Sequence, residues 1–393
     1  MNPWKGLKRL PRNIWLISAG TLINRAGSMV MPFLALYLTQ GLGYSVADSG
    51  LVIASYGIGS FICAPLAGKL SDKIGSLTLM RYSLVLSGFG FLLYSFITDY
   101  YLLFAVSIGL ALVSESFRPA SMAFIADQTS PEQRKMSFTL YRLAINLGMS
   151  IGPVVGGFLS MIDFSLLFYF DAATSFASGI FFFLSKWEVE KIHTIESGEK
   201  KNTDGDNSSI LKDYNLLYFL FAFLPMLIVF FQIMSTVPLY IVKELGYERS
   251  TFGLLMAINT VMIIFIEVPV NSAMGNVPDR KALVIGGLFT AIGFGSMAFA
   301  RDIIPLVISI VIWTFGEMII FPSSSTYISK VAVKGKTGEY MGYYQMTAAL
   351  SLLVAPAAGT WALQTFGSFN LWIYSFVFGM ISSILMLGIK IKK

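Results

Sequence analysis

The chain has one cysteine and one histidine in 393 residues, and only 13% of its residues are charged. A lone Cys63 inside an apolar stretch excludes an internal disulfide and a cysteine zinc site. His193 lies in a polar stretch, so histidine-metal and histidine-triad chemistry are excluded and a proton relay at membrane depth has to use carboxylates. Phosphate loops, nucleotide-binding glycines and paired catalytic carboxylates are not apparent. No cofactor and no metal are therefore expected, and neither ATP-driven transport nor enzymatic chemistry has support. So small a charged share, against roughly 25% in soluble domains, leaves too little polar surface to cover a globule. Soluble enzyme, nucleic-acid binder and disordered scaffold are all excluded.

What is present is apolar. Hydrophobic residues make up 55%, with 33 Phe and 18 Tyr, and the mean hydropathy is +0.70. Such a surface suits lipid, where apolar side chains need no covering. Long apolar runs broken by charged or Gly/Pro clusters predict twelve spans. They run over 13–39, 46–67, 77–98, 101–126, 136–162, 165–185, 215–241, 250–272, 282–300, 303–329, 337–364 and 368–389. Twelve spans of roughly 20 residues use about 240 residues, which the length accommodates. The one long hydrophilic segment, around EKIHTIESGEKKNTDGDNSS, reads as a flexible linker. The expected organisation is a six-helix bundle over 1–186, a linker over 187–213 and a second six-helix bundle over 214–393.

Of the 28 Lys and Arg residues, Lys243, Arg249 and Arg301 fall in connections on one side, and Arg25, Arg118 and Arg142 fall inside apolar runs. All the others fall on the side of the termini and linker, which the positive-inside rule assigns to the cytoplasm. The N-terminal MNPWKGLKRLPR precedes a run too long for a signal peptide and reads as an uncleaved first span. An internal repeat supports two halves. A shift of 203 positions carries Tyr37, Leu42, Gly43, Tyr44 and Gly50 onto Tyr240, Leu245, Gly246, Tyr247 and Gly253. The same register carries Pro119, Tyr141, Pro153 and Gly156 onto Pro322, Tyr344, Pro356 and Gly359. A repeat of equal topology implies a pseudo-twofold axis along the membrane normal, with a ligand site between the halves.

The connection after the second span reads Gly68-Lys69-Leu70-Ser71-Asp72-Lys73-Ile74-Gly75. Its Gly68, Asp72, Lys73 and Gly75 resemble the signature loop of the major facilitator superfamily; Ser76 and Leu77 stand where that pattern has a basic pair. The fifth span carries Gly148, Gly152, Pro153, Gly156 and Gly157. Small residues so spaced permit close helix contact, and the proline permits a bend. The run resembles the fifth-helix motif of the drug and proton antiporters of that superfamily. The resemblance covers essentially the whole chain. It implies an all-α membrane protein, twelve transmembrane helices in two pseudo-symmetric bundles, with gating roles for those glycines, Asp72, Lys73 and Pro153.

Ionisable groups at membrane depth carry the functional expectation, since each costs a few kcal/mol there unless paired or wetted. At 1.5 Å per residue, Arg25, Glu115 and Glu317 lie roughly 15–18 Å from the inner ends of their helices. In the superfamily's layout the first, fourth, seventh and tenth helices line the cavity. The resemblance then implies proton coupling at Glu115, tuned by Arg118 and Arg25. An arginine on the fourth helix resembles a proton-coupling motif, although Pro119 and Ala120 replace its glycine-rich continuation. Glu317, Glu267, Asn24, Gln232, Trp313 and Arg142 are the substrate-binding candidates, with Phe231, Met234 and Phe321 as apolar contacts. The expectation is a monomeric transporter in the plasma membrane that exchanges protons for an amphipathic or cationic small molecule. Two rivals are proton-coupled uptake of an anionic or zwitterionic nutrient and a non-transporting receptor or assembly factor of the same fold.

Overall fold

The computed structural model describes residues 10–129, 131–188, 213–274, 277–333 and 337–390. The linker expected over 187–213, with His193, lies outside them except for Trp187, Glu188 and Asp213. The described residues form helices α1 (Arg12–Ala26), α2 (Val30–Leu36), α3 (Val46–Ile74), α4 (Ser76–Ser95), α5 (Tyr100–Ser114), α6 (Phe117–Asp127), α7 (Pro131–Ile162) and α8 (Ser165–Leu184). After the linker come α9 (Tyr214–Phe230), α10 (Thr236–Pro238), α11 (Arg249–Ala273), α12 (Asp279–Ser296), α13 (Ile303–Val331) and α14 (Thr337–Met386).

Three helix starts, those of α3, α5 and α9, are capped by short polar residues that accept free backbone N–H groups. The Ser45 hydroxyl accepts from Asp48, Asp99 accepts from Leu102, and Asp213 accepts from Asn215 and Leu216. Among the described residues, ten stretches are long and apolar enough to cross a membrane. The last, Tyr340–Met386, contains a break at Gly367, whose φ of 78° is open to glycine, and so holds two spans. The first span, split between α1 and α2, completes twelve.

Several expected spans are corrected. The first is interrupted at residues 27–29, the fourth at Glu115 and Ser116, and the seventh by a 3-10 turn over Phe231–Met234. Hydropathy misses these breaks because the apolar residues on either side keep the average high across them. The second helix does not stop at Ala67: residues 68–74 of the signature stretch continue α3 for nearly two more turns, and Gly75, with φ 87°, makes the turn.

The two halves meet along two seams, α3 against the first part of α14 and α7 against α11. Glycines set the approach. A Cβ on Gly57 would stand 2.6 Å from the Leu353 backbone, and one on Gly253 would stand 2.3 Å from the Pro153 carbonyl. At the end remote from the termini, here called distal, one continuous core joins both halves. Phe33 and Phe252 meet there edge to face at 5.2 Å. Arg249 clasps that end: it donates to Gln40 Oε1 at 3.0 Å and to the Ser160 carbonyl, with its guanidinium 4.0 Å over the Phe164 ring. Across the axis, the Ala47 N–H donates to Gln364 at 2.8 Å.

At the terminal end the cores are separate, one around Phe117, Phe124 and Phe182 and the other around Phe219, Phe223 and Tyr327. Helices α1, α6, α9 and α13 make no substantial contact with the opposite half. They face a gap that is open at the terminal end and closed distally by α2 packed against residues 231–244.

Gly57→Ala forces a backbone seam apart and should cost about 1–3 kcal/mol. We expect a lowered Tm in detergent, whereas Gly109→Ala, where a Cβ meets nothing within 4 Å, leaves Tm unchanged or slightly raised.

Candidate functional site

The closed end of the gap lies where the first, fourth and seventh spans break. A helix break in hydrocarbon leaves backbone donors that something else has to satisfy. For the first span that partner is Asp171 of α8. Its two carboxylate oxygens accept the N–H groups of Met29 and Val30 at 3.0 and 3.2 Å. Gly27, Gly148 and Gly152 let this bend lie against α8 and α7. A Cβ on Gly27 would meet Thr174 at 1.8 Å, one on Gly148 would meet Arg25 at 2.5 Å, and one on Gly152 would meet the Ser28 carbonyl at 2.6 Å. In the seventh span Gln232 holds the break. Its amide donates to the Ile228 and Ala355 carbonyls and its oxygen accepts from Thr236.

Arg25, the penultimate residue of α1, stands at the edge of the first break, and its Nε is shielded from solvent without a hydrogen-bond partner. Glu115 occupies the break of the fourth span, where Oε1 accepts from the Tyr56 hydroxyl at 2.9 Å; Tyr56 also meets Ser114 at 2.9 Å. Arg118, exposed one turn further on, lies within electrostatic reach of Tyr344 from the other half. Neither Arg25 nor Arg118 has an ion pair within 4 Å among the described residues.

On the opposite wall, Asn259 of α11 donates to Glu317 Oε2 at 2.8 Å and to the Thr314 hydroxyl at 3.0 Å. Glu267 is engaged by Arg142 of α7 across the α7–α11 seam, an ion pair that links the two halves. Both members of this pair lie within electrostatic reach of Glu317.

The shift of 203 positions relates these groups. It carries Tyr56 onto Asn259 and Ser114 onto Glu317, so each wall has a polar side chain from its second span holding a group on its fourth. Tyr56 and Asn259 were absent from the sequence-based candidates, although the repeat register pairs them with each other.

Other candidates stand apart from this cluster. Trp313 is 1% exposed and packs against Phe230 and Phe294, so it belongs to the core. Gln232 is buried and committed to the break, and Asn24 donates to Ser175 at 3.2 Å. Lys73 is exposed at the terminal end, and the Asp72 side chain lies outside the described set. Gly157 lines the α7–α11 seam, where a Cβ would stand 2.9 Å from the Arg249 carbonyl, whereas Gly156 faces Met29 and Phe33, each 3.1 Å from where its Cβ would be. Pro153 lies within α7 opposite Gly253.

Twelve spans in two related halves, closed at one end around ionisable groups, define a multi-pass membrane transporter. The family model described as Major Facilitator Superfamily matches residues 16–356 and 233–391. The chain belongs to that superfamily. Among curated relatives it is 26% identical to the uncharacterized MFS-type transporter YqjV of Bacillus subtilis, over 99% of this chain and 94% of that one. It is 24% identical to the Na(+), Li(+), K(+)/H(+) antiporter of Planococcus maritimus, over 85% of each chain. It is 27% identical to the multi-drug resistance efflux pump PmrA homolog of Lactococcus lactis, over 89% of this chain and 87% of that one. The solved structure of a POT family transporter in complex with a thioalcohol-conjugated peptide superposes with a TM-score of 0.79 at 16% identity, covering 98% of this chain and 97% of that one. That likeness concerns the fold.

Removing the Asp171 carboxylate orphans two buried donors, each worth about 1–3 kcal/mol. Asp171→Ala should lower the Tm in detergent more than Asp171→Asn, which keeps one acceptor. Equal melting of both variants and the parent contradicts the cap.

Proposed function

We propose that the protein is a proton-coupled exporter of amphipathic or cationic small molecules that works by alternating access. The observation that carries this reading is the pair of carboxylates, Glu115 and Glu317, held on opposite walls where the gap closes. A carboxylate in such a place exchanges its proton with whichever side the gap faces, because solvation and neighbouring charges change as the walls rearrange. The drug-exporting and cation/proton-exchanging activities named for two relatives support the direction.

The excess of Lys and Arg on the terminal side supports both termini and the linker in the cytoplasm of a plasma-membrane protein. On that orientation the gap opens inward, and Arg249 and the glycine seams form the outer closure. Substrate enters from the cytoplasm or inner leaflet and meets Glu317. The walls then rock about the mid-membrane site, and protons arriving from outside neutralise Glu115 and Glu317 and displace it. Arg25 and Arg118 tune Glu115, and the protein acts as a monomer. Transport, rather than catalysis, is the activity assigned. Proton-coupled uptake of an anion or zwitterion is the second reading, favoured by Arg25 and Arg118, neither of which has an ion pair within 4 Å among the described residues.

In vesicles reconstituted with the full chain, a fluorescent lipophilic cation moving down its gradient should drive proton movement in the opposite direction. A protonophore should dissipate the resulting pH difference, and Glu115→Gln should reduce the coupled proton flux at least tenfold. Undiminished coupling in Glu115→Gln contradicts the assigned role, and co-directional proton movement establishes symport.

A further inference from the structure

Away from the gap, helices α4 and α8 pack side by side, and neither makes substantial contact with the C-terminal half. Their outer face is apolar and open to lipid. Tyr82, Leu86 and Phe89 run along α4 with more than half of each exposed, and exposed Phe183 and Leu184 close α8. The only charged residue of α4 is Arg81, and the only one of α8 is Asp171, which is committed to the first break. Arg81 stands five residues from the start of α4 at Ser76. At 1.5 Å per residue that is about 8 Å from the terminal end of the helix, a depth suited to the headgroup boundary.

Arg81 is fixed from two sides. Its Nε donates to the Phe182 carbonyl at 3.0 Å, and its guanidinium lies 5.2 Å from the centre of the Phe183 ring. Its Nη groups have no hydrogen-bond partner among the described residues, and no carboxylate among them lies within 4 Å. The acid that follows α8, Glu188, pairs with Arg12 at 3.5 Å, and exposed Lys186 adds a positive charge just beyond α8.

Closing the end of α8 does not call for this charge. The Phe182 carbonyl also accepts from Trp187 Nε1 at 2.8 Å. The shift of 203 positions carries Phe182 onto Leu385 and Arg81 onto Val284. In that second half the neutral Tyr218 hydroxyl satisfies the Leu385 carbonyl at 2.8 Å. The N-terminal half thus carries, on a lipid-facing surface, a guanidinium with open donors that capping alone does not explain.

We propose that Arg81 binds the headgroup phosphate of an anionic phospholipid in the leaflet on the side of the termini. Phosphate oxygens match the open Nη donors, and the acyl chains lie along Tyr82, Leu86 and Phe89. That apolar stripe favours a lipid over free phosphate. A zwitterionic headgroup brings its own cation, which competes with Arg81 and is repelled by Lys186. Because the Phe182 carbonyl and the Phe183 ring already hold the side chain, little ordering cost remains. The inference goes beyond the transport reading and does not depend on the solute carried.

Native mass spectrometry of the full chain in nonionic detergent, with equimolar phosphatidylglycerol and phosphatidylcholine of the same acyl chains, tests it. The unaltered protein should take phosphatidylglycerol about fivefold more often as its first bound lipid. Arg81→Gln keeps a donor for the Phe182 carbonyl and should bring the two lipids within about twofold of each other, whereas Arg81→Lys should retain a preference. A merely structural role predicts instead a lowered Tm for Arg81→Gln with the preference intact. On the unaltered protein, phosphatidylglycerol with a photoreactive headgroup should crosslink to the first turns of α4 or to residues 183–188, which decides even if a variant does not fold. Equal occupancy by the two lipids, a preference that survives Arg81→Gln, or crosslinks confined to other helices overturns the proposal. No gradient or solute is present, so none of these outcomes bears on proton-coupled export.

Discussion

Inside a bilayer a backbone donor or acceptor has no water to turn to, and that constraint governs where this chain is allowed to be irregular. Its first, fourth and seventh spans break near the middle, and the first and seventh breaks are held by side chains that take over the lost backbone bonds. Asp171 accepts two N–H groups at the first, and Gln232 bridges the seventh. Breaks need partners, partners need close approach, and the glycines of α1 and α7 provide it. The same broken places hold Arg25 and Glu115. The irregular backbone and the ionisable groups are one feature, since both are tolerated only where protein or a wetted gap surrounds them.

The closure at one end follows from packing of the same kind. The α3–α14 and α7–α11 seams depend on backbones meeting where no side chain intervenes. They run into a distal core shared by both halves and part into two cores at the terminal end. The pseudo-symmetry of the repeat supplies an obvious alternative arrangement, in which the distal core divides and the terminal cores meet. The Arg142–Glu267 pair lies across one of the seams, where it bears on the gap without closing it.

Much of the architecture was legible in the sequence because hydropathy, loop charge and the repeat register each report on lipid contact or topology. Legibility failed where regularity is set by tertiary contact. Nothing in the apolar run around Gly27 shows that Asp171, far along the chain, would cap a break there. Residues 68–74 read as a turn because they are polar, yet they continue α3 to Gly75. At the site, Glu115 and Glu317 were visible as acids at mid-membrane depth, but their partners Tyr56 and Asn259 were hidden among ordinary polar residues. Trp313 looked like a cavity aromatic because composition does not say which face of a helix is buried.

Alternating access requires the halves to rock about the mid-membrane charges, one end closing as the other opens. Pulsed electron-spin distance measurements in a Cys63→Ala background test it most directly, with one label pair at Lys73 and Arg280 and another at Tyr101 and Ile304. Between the substrate-free protein and the protein held at acidic pH, the first pair should shorten while the second lengthens. Two distance distributions that stay fixed, or that shift in the same sense, would contradict it.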